Sequence, residues 1–379
     1  MCIVLARKKL WFTLLLSFLI IWICFFAYHK YLQYQVRKNS QINTIGGIDV
    51  LEKIKLGGID QWILIRGWDK SNPIILFLHG GPGALLFTYA REIGVQAKLE
   101  NNFTMVYWEQ RGCGKSFNPS IKSESMTIEQ LVLDTQELTQ YLCHRFNRNK
   151  LILVARSFGT LIGLITVHRT PDLYYAYVGI GQLIYPLAND SCTYSLTLKM
   201  AASYNNSEAL QDLKEMGYPP YNYNQILIQR KWLTFFSDQI LTHTLGVRKH
   251  QPRYKLLSTP EYSIIDILRI GLDPKFALRH LWNKQLYQIN LHEEIRSLEV
   301  PVIFVSALYD HFTSQRQLQL FYDNLDAKKG KNLFLFEKSG HEPEKDEPRK
   351  FHDIMIENVL PIVDNRADLD LISQKLPIF

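Results

Sequence analysis

The run Leu151-Ile152-Leu153-Val154-Ala155-Arg156-Ser157-Phe158-Gly159-Thr160-Leu161-Ile162-Gly163 sets an unbroken apolar stretch against a serine and then against a helix-forming segment. A short apolar run without alternation is the pattern of a strand buried on both faces. Small residues two places before and after the serine, Ala155 and Gly159, leave the room that strand and helix need to meet at a sharp, strained turn. Such a turn lifts the hydroxyl of Ser157 above the carboxyl end of a sheet. A small-x-Ser-x-Gly string also arises by chance, so its meaning depends on what else the chain carries.

Upstream, Pro73-Ile74-Ile75-Leu76-Phe77-Leu78 reads as another continuous apolar strand and runs into His79-Gly80-Gly81-Pro82-Gly83. Glycines there free backbone N–H groups to face a ligand oxygen. An oxyanion hole beside a serine nucleophile takes one N–H from the residue after the serine, here Phe158, and one from the loop after an earlier strand, for which Gly81 is the candidate. His79 and Gly80, in the same loop, are assigned to substrate binding. A further strand, Met105-Val106-Tyr107-Trp108, ends in Glu109-Gln110-Arg111-Gly112-Cys113-Gly114-Lys115-Ser116.

These loops resemble those of the proline iminopeptidase-like serine peptidases of the α/β-hydrolase superfamily. The loop 79–83 matches the family's H-G-G-P-G, and 110–116 is similar to its D-Q-R-G-x-G-x-S, with Glu109 where the family usually has Asp. The resemblance runs from about residue 59 to 364 and is weakest in the middle of the chain. It implies an α/β fold: a mostly parallel sheet with helices on both faces and an inserted helical cap.

The acid and the histidine should follow the serine in that order, each behind a strand. Pro301-Val302-Ile303-Phe304-Val305-Ser306-Ala307 precedes Asp310, and Asn332-Leu333-Phe334-Leu335-Phe336 precedes His341. Asp310 and His341 match the family's acid and histidine, whereas His311 has no glycine-rich turn to carry it over Ser157. The expected chemistry is attack by Ser157 on a carbonyl, with His341 as base and Asp310 orienting it. A serine at the turn disfavours dehalogenase and epoxide hydrolase chemistry, which uses aspartate there.

Residues 10–28 form 19 positions without a charge, which as a helix spans roughly 28 Å at about 1.5 Å per residue, close to a bilayer's apolar thickness. A single-pass anchor is expected rather than a cleaved leader, because the stretch is long and no small-residue cleavage site follows. Arg7, Lys8 and Lys9 before it orient the catalytic domain outside the cytoplasm. The formal net charge of +7 belongs to this end: residues 1–38 hold six basic and no acidic residues, leaving 37 basic against 36 acidic in the rest. Nucleic acid is therefore not an implied partner. The five cysteines form no disulfide framework, no metal-ligand spacing occurs, and no cofactor is expected.

The expected division is an anchor and linker at 1–38, a hydrolase core at 39–182 and 291–379, and a helical cap at 183–290. The cap is rich in aromatics, most of which should pack its helices together. An aminopeptidase must also hold the substrate's free ammonium. Glu208, Asp212 and Glu215 are the candidates, although their spacing is equally that of a solvated helix face. The function expected is cleavage of amide bonds in small peptides. An esterase acting on small-molecule esters, or a non-catalytic membrane-anchored binding module on the same fold, are the alternatives.

Overall fold

The apolar opening of the chain forms one long helix, α1 (Cys2–Asn39), in the computed structural model, which describes residues 2–246 and 255–363. Its segment Leu10–Asn39 is long and apolar enough to cross a membrane, and Trp11, Phe12, Leu15 and Ile21 on it are exposed. Gly57 and Gly58 take positive φ and close the expected hairpin between β1 (Ile48–Leu56) and β2 (Ile59–Gly67). β3 (Ile74–Leu78), α2 (Phe87–Gln96), β4 (Thr104–Glu109), α3 (Ile128–Phe146), β5 (Leu151–Arg156), α4 (Phe158–Arg169) and β6 (Tyr174–Ile180) follow. The start of α3 is the one its sequence signals, with the Thr127 hydroxyl accepting the Gln130 N–H at 3.0 Å.

Between β6 and the next core strands lie α5 (Pro186–Ser203), α6 (Ser207–Met216), α7 (Tyr223–Leu245), α8 (Lys255–Ser258), α9 (Ile264–Leu272), α10 (Phe276–Leu281) and α11 (Leu291–Glu294). The two ends of this helical segment meet where the Leu291 N–H donates to the Ile184 carbonyl at 3.1 Å. The chain then forms β7 (Ser297–Leu298), β8 (Val302–Ala307), α12 (Gln315–Asn324), β9 (Asp326–Ala327), β10 (Lys331–Phe336), α13 (Pro343–Asp346) and α14 (Pro348–Ile354).

The main sheet has the order β1-β2-β4-β3-β5-β6-β8-β10, antiparallel at the hairpin edge and parallel from β4 onward. Alternate residues of its central strands feed two cores. Ile74, Leu76, Leu78, Leu153 and Ala155 face Leu131, Leu138, Leu161 and Ile162 of α3 and α4, while Ile75, Phe77, Ile152 and Val154 face Phe87, Ile93, Phe351 and Ile354 of α2 and α14. Burial on both faces explains why these strands read as continuous apolar runs. Each valine, leucine, isoleucine or phenylalanine among them, taken fully out of water, contributes roughly 1.5–3 kcal/mol. The parallel strands deliver the turns after β3, β5, β6, β8 and β10 to one edge of the sheet, where a ligand site is expected.

Candidate active site

Ser157 lies between β5 and α4 with φ 52° and ψ −126°, a conformation that side chains rarely adopt. It holds the N-cap position of α4, yet its hydroxyl makes no cap bond to the helix. The hydroxyl instead reaches His341, whose Nε2 lies 2.9 Å from Ser157 Oγ. The turn works because its flanks are small. A Cβ on Gly159 would come 2.5 Å from the His79 carbonyl oxygen and 2.8 Å from that of Leu78, so α4 is packed directly against the end of β3. Ala155, where a glycine is usual, fits because Gly163 faces it: a Cβ there would stand 3.0 Å from that of Ala155.

His341 Nδ1 lies 2.9 and 3.0 Å from the two carboxylate oxygens of Asp310. Asp310 also accepts the N–H groups of Phe312 at 2.8 Å and Thr313 at 3.1 Å, and the Thr313 hydroxyl at 2.6 Å. Burial alone would push this carboxyl up. The neighbouring His341 and these hydrogen bonds win, and hold it at about 2, so it is ionised at neutral pH. Gly181 makes room for the pair, since a Cβ there would sit 3.1 Å from Asp310 Oδ2 and 3.3 Å from His341 Cε1.

The loop 79–83 abuts the serine: a Cβ on Gly80 would lie 2.8 Å from Ser157 Cβ. Gly81 takes φ 118°, open to glycine alone, and Phe158 begins α4, so its N–H has no partner within the helix. His79, expected to bind substrate, has both ring nitrogens occupied by backbone. It is fully buried, its Nε2 accepts the Gln110 N–H at 3.2 Å, and its Nδ1 sits 2.8 Å from the Gly80 carbonyl. Burial lowers its pKa to about 4, so it is a neutral tie between the two glycine-rich loops.

Glu109 and Arg111 organise the second loop. Arg111 donates to both oxygens of Asp134, at 2.9 and 3.0 Å, and to the Gly57 carbonyl at 2.9 Å, joining the loop to α3 and the hairpin. Glu109 is buried, accepts the N–H groups of Phe87 at 3.3 Å and Lys115 at 2.5 Å, and receives the Tyr262 hydroxyl. Burial pushes its carboxyl up to about 7 against those hydrogen bonds. The longer glutamate fits because Gly114 has no side chain: a Cβ there would come 2.1 Å from Glu109 Oε2.

Arg156, beside the serine, donates to Glu342 at 2.6 Å and Glu344 at 3.0 Å, and to the Tyr89 hydroxyl at 3.0 Å. Glu342 follows His341, so this buried cluster ties the serine turn to the histidine loop. The Phe312 ring packs on His341 with centroids 4.9 Å apart, and Trp282 of the helical segment lies 6.1 Å from Phe158. The guanidinium of Arg230, from α7, stands 5.0 Å from the Trp282 ring and 5.4 Å from that of Phe312.

The cap carboxylates do not join this group. Glu208 is exposed and pairs with Lys231 at 3.0 Å, Asp212 accepts from Lys231 at 3.2 Å and from the Trp232 indole at 2.8 Å, and exposed Glu215 accepts from Gln211 at 2.9 Å. Glu208 and Glu215, expected to bind substrate, both lie on the solvated face of α6. Among the described residues no group of His, Cys, Asp and Glu could hold a metal ion.

Residues 73–348 match the α/β hydrolase fold family. A curated relative, the probable aminopeptidase YbaC of Bacillus subtilis, is 32% identical over 80% of this chain and 94% of its own length. A proline iminopeptidase of Lactobacillus crispatus is 30% identical over 78% of this chain and 92% of its own. Among solved structures, the proline iminopeptidase of Mycobacterium smegmatis is similar with a TM-score of 0.57 at 14% identity, covering 85% of this chain and all (100%) of its own. A membrane phospholipase A reaches a TM-score of 0.61 at 15% identity, covering 94% of this chain and 99% of its own. The resemblance carried by the two glycine-rich loops therefore holds along most of the sequence, and the chain belongs to the α/β hydrolase fold family.

Proposed function

We propose that this enzyme is a serine hydrolase that removes N-terminal residues from small peptides through a Ser157-His341-Asp310 triad. The observation that carries the reading is the continuous hydrogen-bonded chain, 2.9 Å from serine to imidazole and 2.9 Å from imidazole to carboxylate. Asp310, ionised and fixed by four protein donors, holds the imidazole N–H of His341 on Nδ1 and leaves Nε2 facing Ser157 as the acceptor. Ser157 Oγ attacks the scissile carbonyl carbon as its proton passes to Nε2. The N–H groups of Gly81 and Phe158 receive the developing oxyanion, each donor being worth roughly 10²–10³ in rate. Collapse expels the amine, which takes the proton from His341, and water then repeats the sequence on the acyl-enzyme.

The preference for amide bonds rests on the relatives named aminopeptidase and proline iminopeptidase. A panel of aminoacyl arylamides run beside 4-nitrophenyl esters tests it. Arylamide cleavage is expected, and ester cleavage alone would move the enzyme to the esterases.

The same reading makes α1 a membrane anchor with the catalytic domain outside the cytoplasm. In support, the helix is docked on the domain just beyond its apolar stretch. His29 contacts the Leu257 carbonyl at 2.7 Å, and Gln33 donates to those of Thr259 at 2.9 Å and Tyr262 at 2.7 Å. Immediately after Tyr262, α9 exposes Ile265, Leu268 and Leu272 on one face. A helix held this close to the end of a membrane span, with such a face open, fits the lipid surface.

A further inference from the structure

The least satisfied charge near Ser157 belongs to Arg230. Among the described residues no hydrogen bond or ion pair reaches its guanidinium, and burial pulls its pKa down from the ordinary arginine value despite the negative charge of Asp190 and Asp310 nearby. Asp190 is itself occupied, accepting the Tyr287 hydroxyl at 2.6 Å and the Asn189 amide at 3.4 Å. Asp310 belongs to His341. A guanidinium carries five N–H donors and stays charged at any ordinary pH, and those of Arg230 are not sealed off from solvent, so an incoming acceptor can reach them.

Its position says which ligand. The guanidinium lies over Trp282 and Phe312 at once, 5.0 and 5.4 Å from the ring centroids. Those two rings flank the reacting atoms, Phe312 packing on His341 at 4.9 Å and Trp282 on Phe158 at 6.1 Å. Aromatic faces hold the planar cation by stacking and leave its edge donors free for a planar anion. A carboxylate matches that edge with two parallel hydrogen bonds.

We propose that Arg230 is a specificity-determining residue that binds a carboxylate of the substrate, so that the preferred substrate is an acidic amide or ester. The carboxylate has two possible sources: the acyl part of the substrate, or the leaving group, as in the free C-terminus of a dipeptide. The assignment rests on the hydrolase reading for its turnover measurements and is independent of it for binding.

The full-length enzyme in detergent is assayed on two matched pairs. The acyl pair is 4-nitrophenyl hydrogen glutarate against 4-nitrophenyl valerate, and the leaving-group pair is Pro-Gly against Pro-glycinamide. In one pair the carboxylate member should have a kcat/KM roughly 10- to 100-fold above its neutral partner, and Arg230→Met should abolish that preference while sparing the neutral substrate. Arg230→Lys should restore part of it. A purely structural arginine would lower both members together, and that result, or equal kcat/KM within both pairs of the wild type, would overturn the assignment. Binding of benzoate against benzamide to Ser157→Ala, with and without Arg230→Met, reads the same contact without turnover. Benzoate should bind at least about tenfold tighter, only with Arg230 present. That preference in a protein whose Ser157 takes up no fluorophosphonate would sink the triad chemistry and leave the carboxylate site standing, whereas equal affinities would remove the site.

Discussion

Replacing Asp310 by Asn changes one atom and should nearly silence the enzyme. The N–H groups of Phe312 and Thr313 both point at Oδ1, 2.8 and 3.1 Å away, so that position must remain an oxygen. The new amide nitrogen therefore takes the Oδ2 site, 2.6 Å from the Thr313 hydroxyl, which rotates to accept, and 3.0 Å from His341 Nδ1. Oδ1 is also 2.9 Å from Nδ1, but the Phe312 and Thr313 N–H groups already occupy its two lone pairs, so the new N–H turns Nδ1 into an acceptor and moves the imidazole proton to Nε2, which faces Ser157 at 2.9 Å and can no longer take its proton. Loss of the correct tautomer costs roughly 10⁴ in kcat, or about 5 kcal/mol of barrier. The assay is kcat on the best substrate of the ester and arylamide panel, together with the rate of fluorophosphonate labelling, on protein whose circular dichroism and thermal midpoint match the wild type. A folded Asp310→Asn enzyme within tenfold of wild-type kcat would show that Asp310 does not set the tautomer.

Gly159→Ala places a Cβ 2.5 Å from a backbone carbonyl, and should cost roughly 1–3 kcal/mol in urea unfolding while lowering kcat through displacement of the serine turn. Glu109 gives a pH signature: its folded carboxyl titrates near about 7, above the unfolded value, so the folded state holds its proton more tightly. Stability should fall as pH rises from about 4.5 to about 7, by roughly 3 kcal/mol from this group, and Glu109→Gln should flatten that part of the unfolding profile. At the proposed lipid surface, a fluorophore on Leu268→Cys in the full chain in vesicles should be quenched by brominated lipid chains; no quenching beyond that of the unsubstituted chain would detach α9 from the bilayer.

Much of the fold was legible because its signals are local. The runs at 74–78 and 151–155 are apolar on both faces, as parallel strands must be, and the glycines that follow are demanded by backbone contacts that the structure makes explicit at Gly80, Gly159 and Gly114. Ser157 and Asp310 stand out because each follows a strand buried along its length, whereas His341 follows the partly exposed edge strand β10 and is carried by the order serine, acid, histidine. Roles that depend on distant partners were not legible. Arg156 meets Glu342 and Glu344 from the far end of the core, and Arg230 sits in what reads as an ordinary polar stretch of helix until Trp282 and Phe312 fold against it. His79 shows the reverse: a histidine opening a glycine-rich loop looks available in sequence, and only the fold shows both ring nitrogens engaged by backbone. Glu208 and Glu215 carry charge in the right segment but on its outer face.

The central claim is that Ser157 is the nucleophile, and covalent trapping tests it most directly. After reaction with a fluorophosphonate, mass spectrometry of digested full-length enzyme should find one stoichiometric adduct, on the peptide containing Ser157, and none in Ser157→Ala. An adduct on another residue, or equal labelling of the alanine variant, would contradict the account.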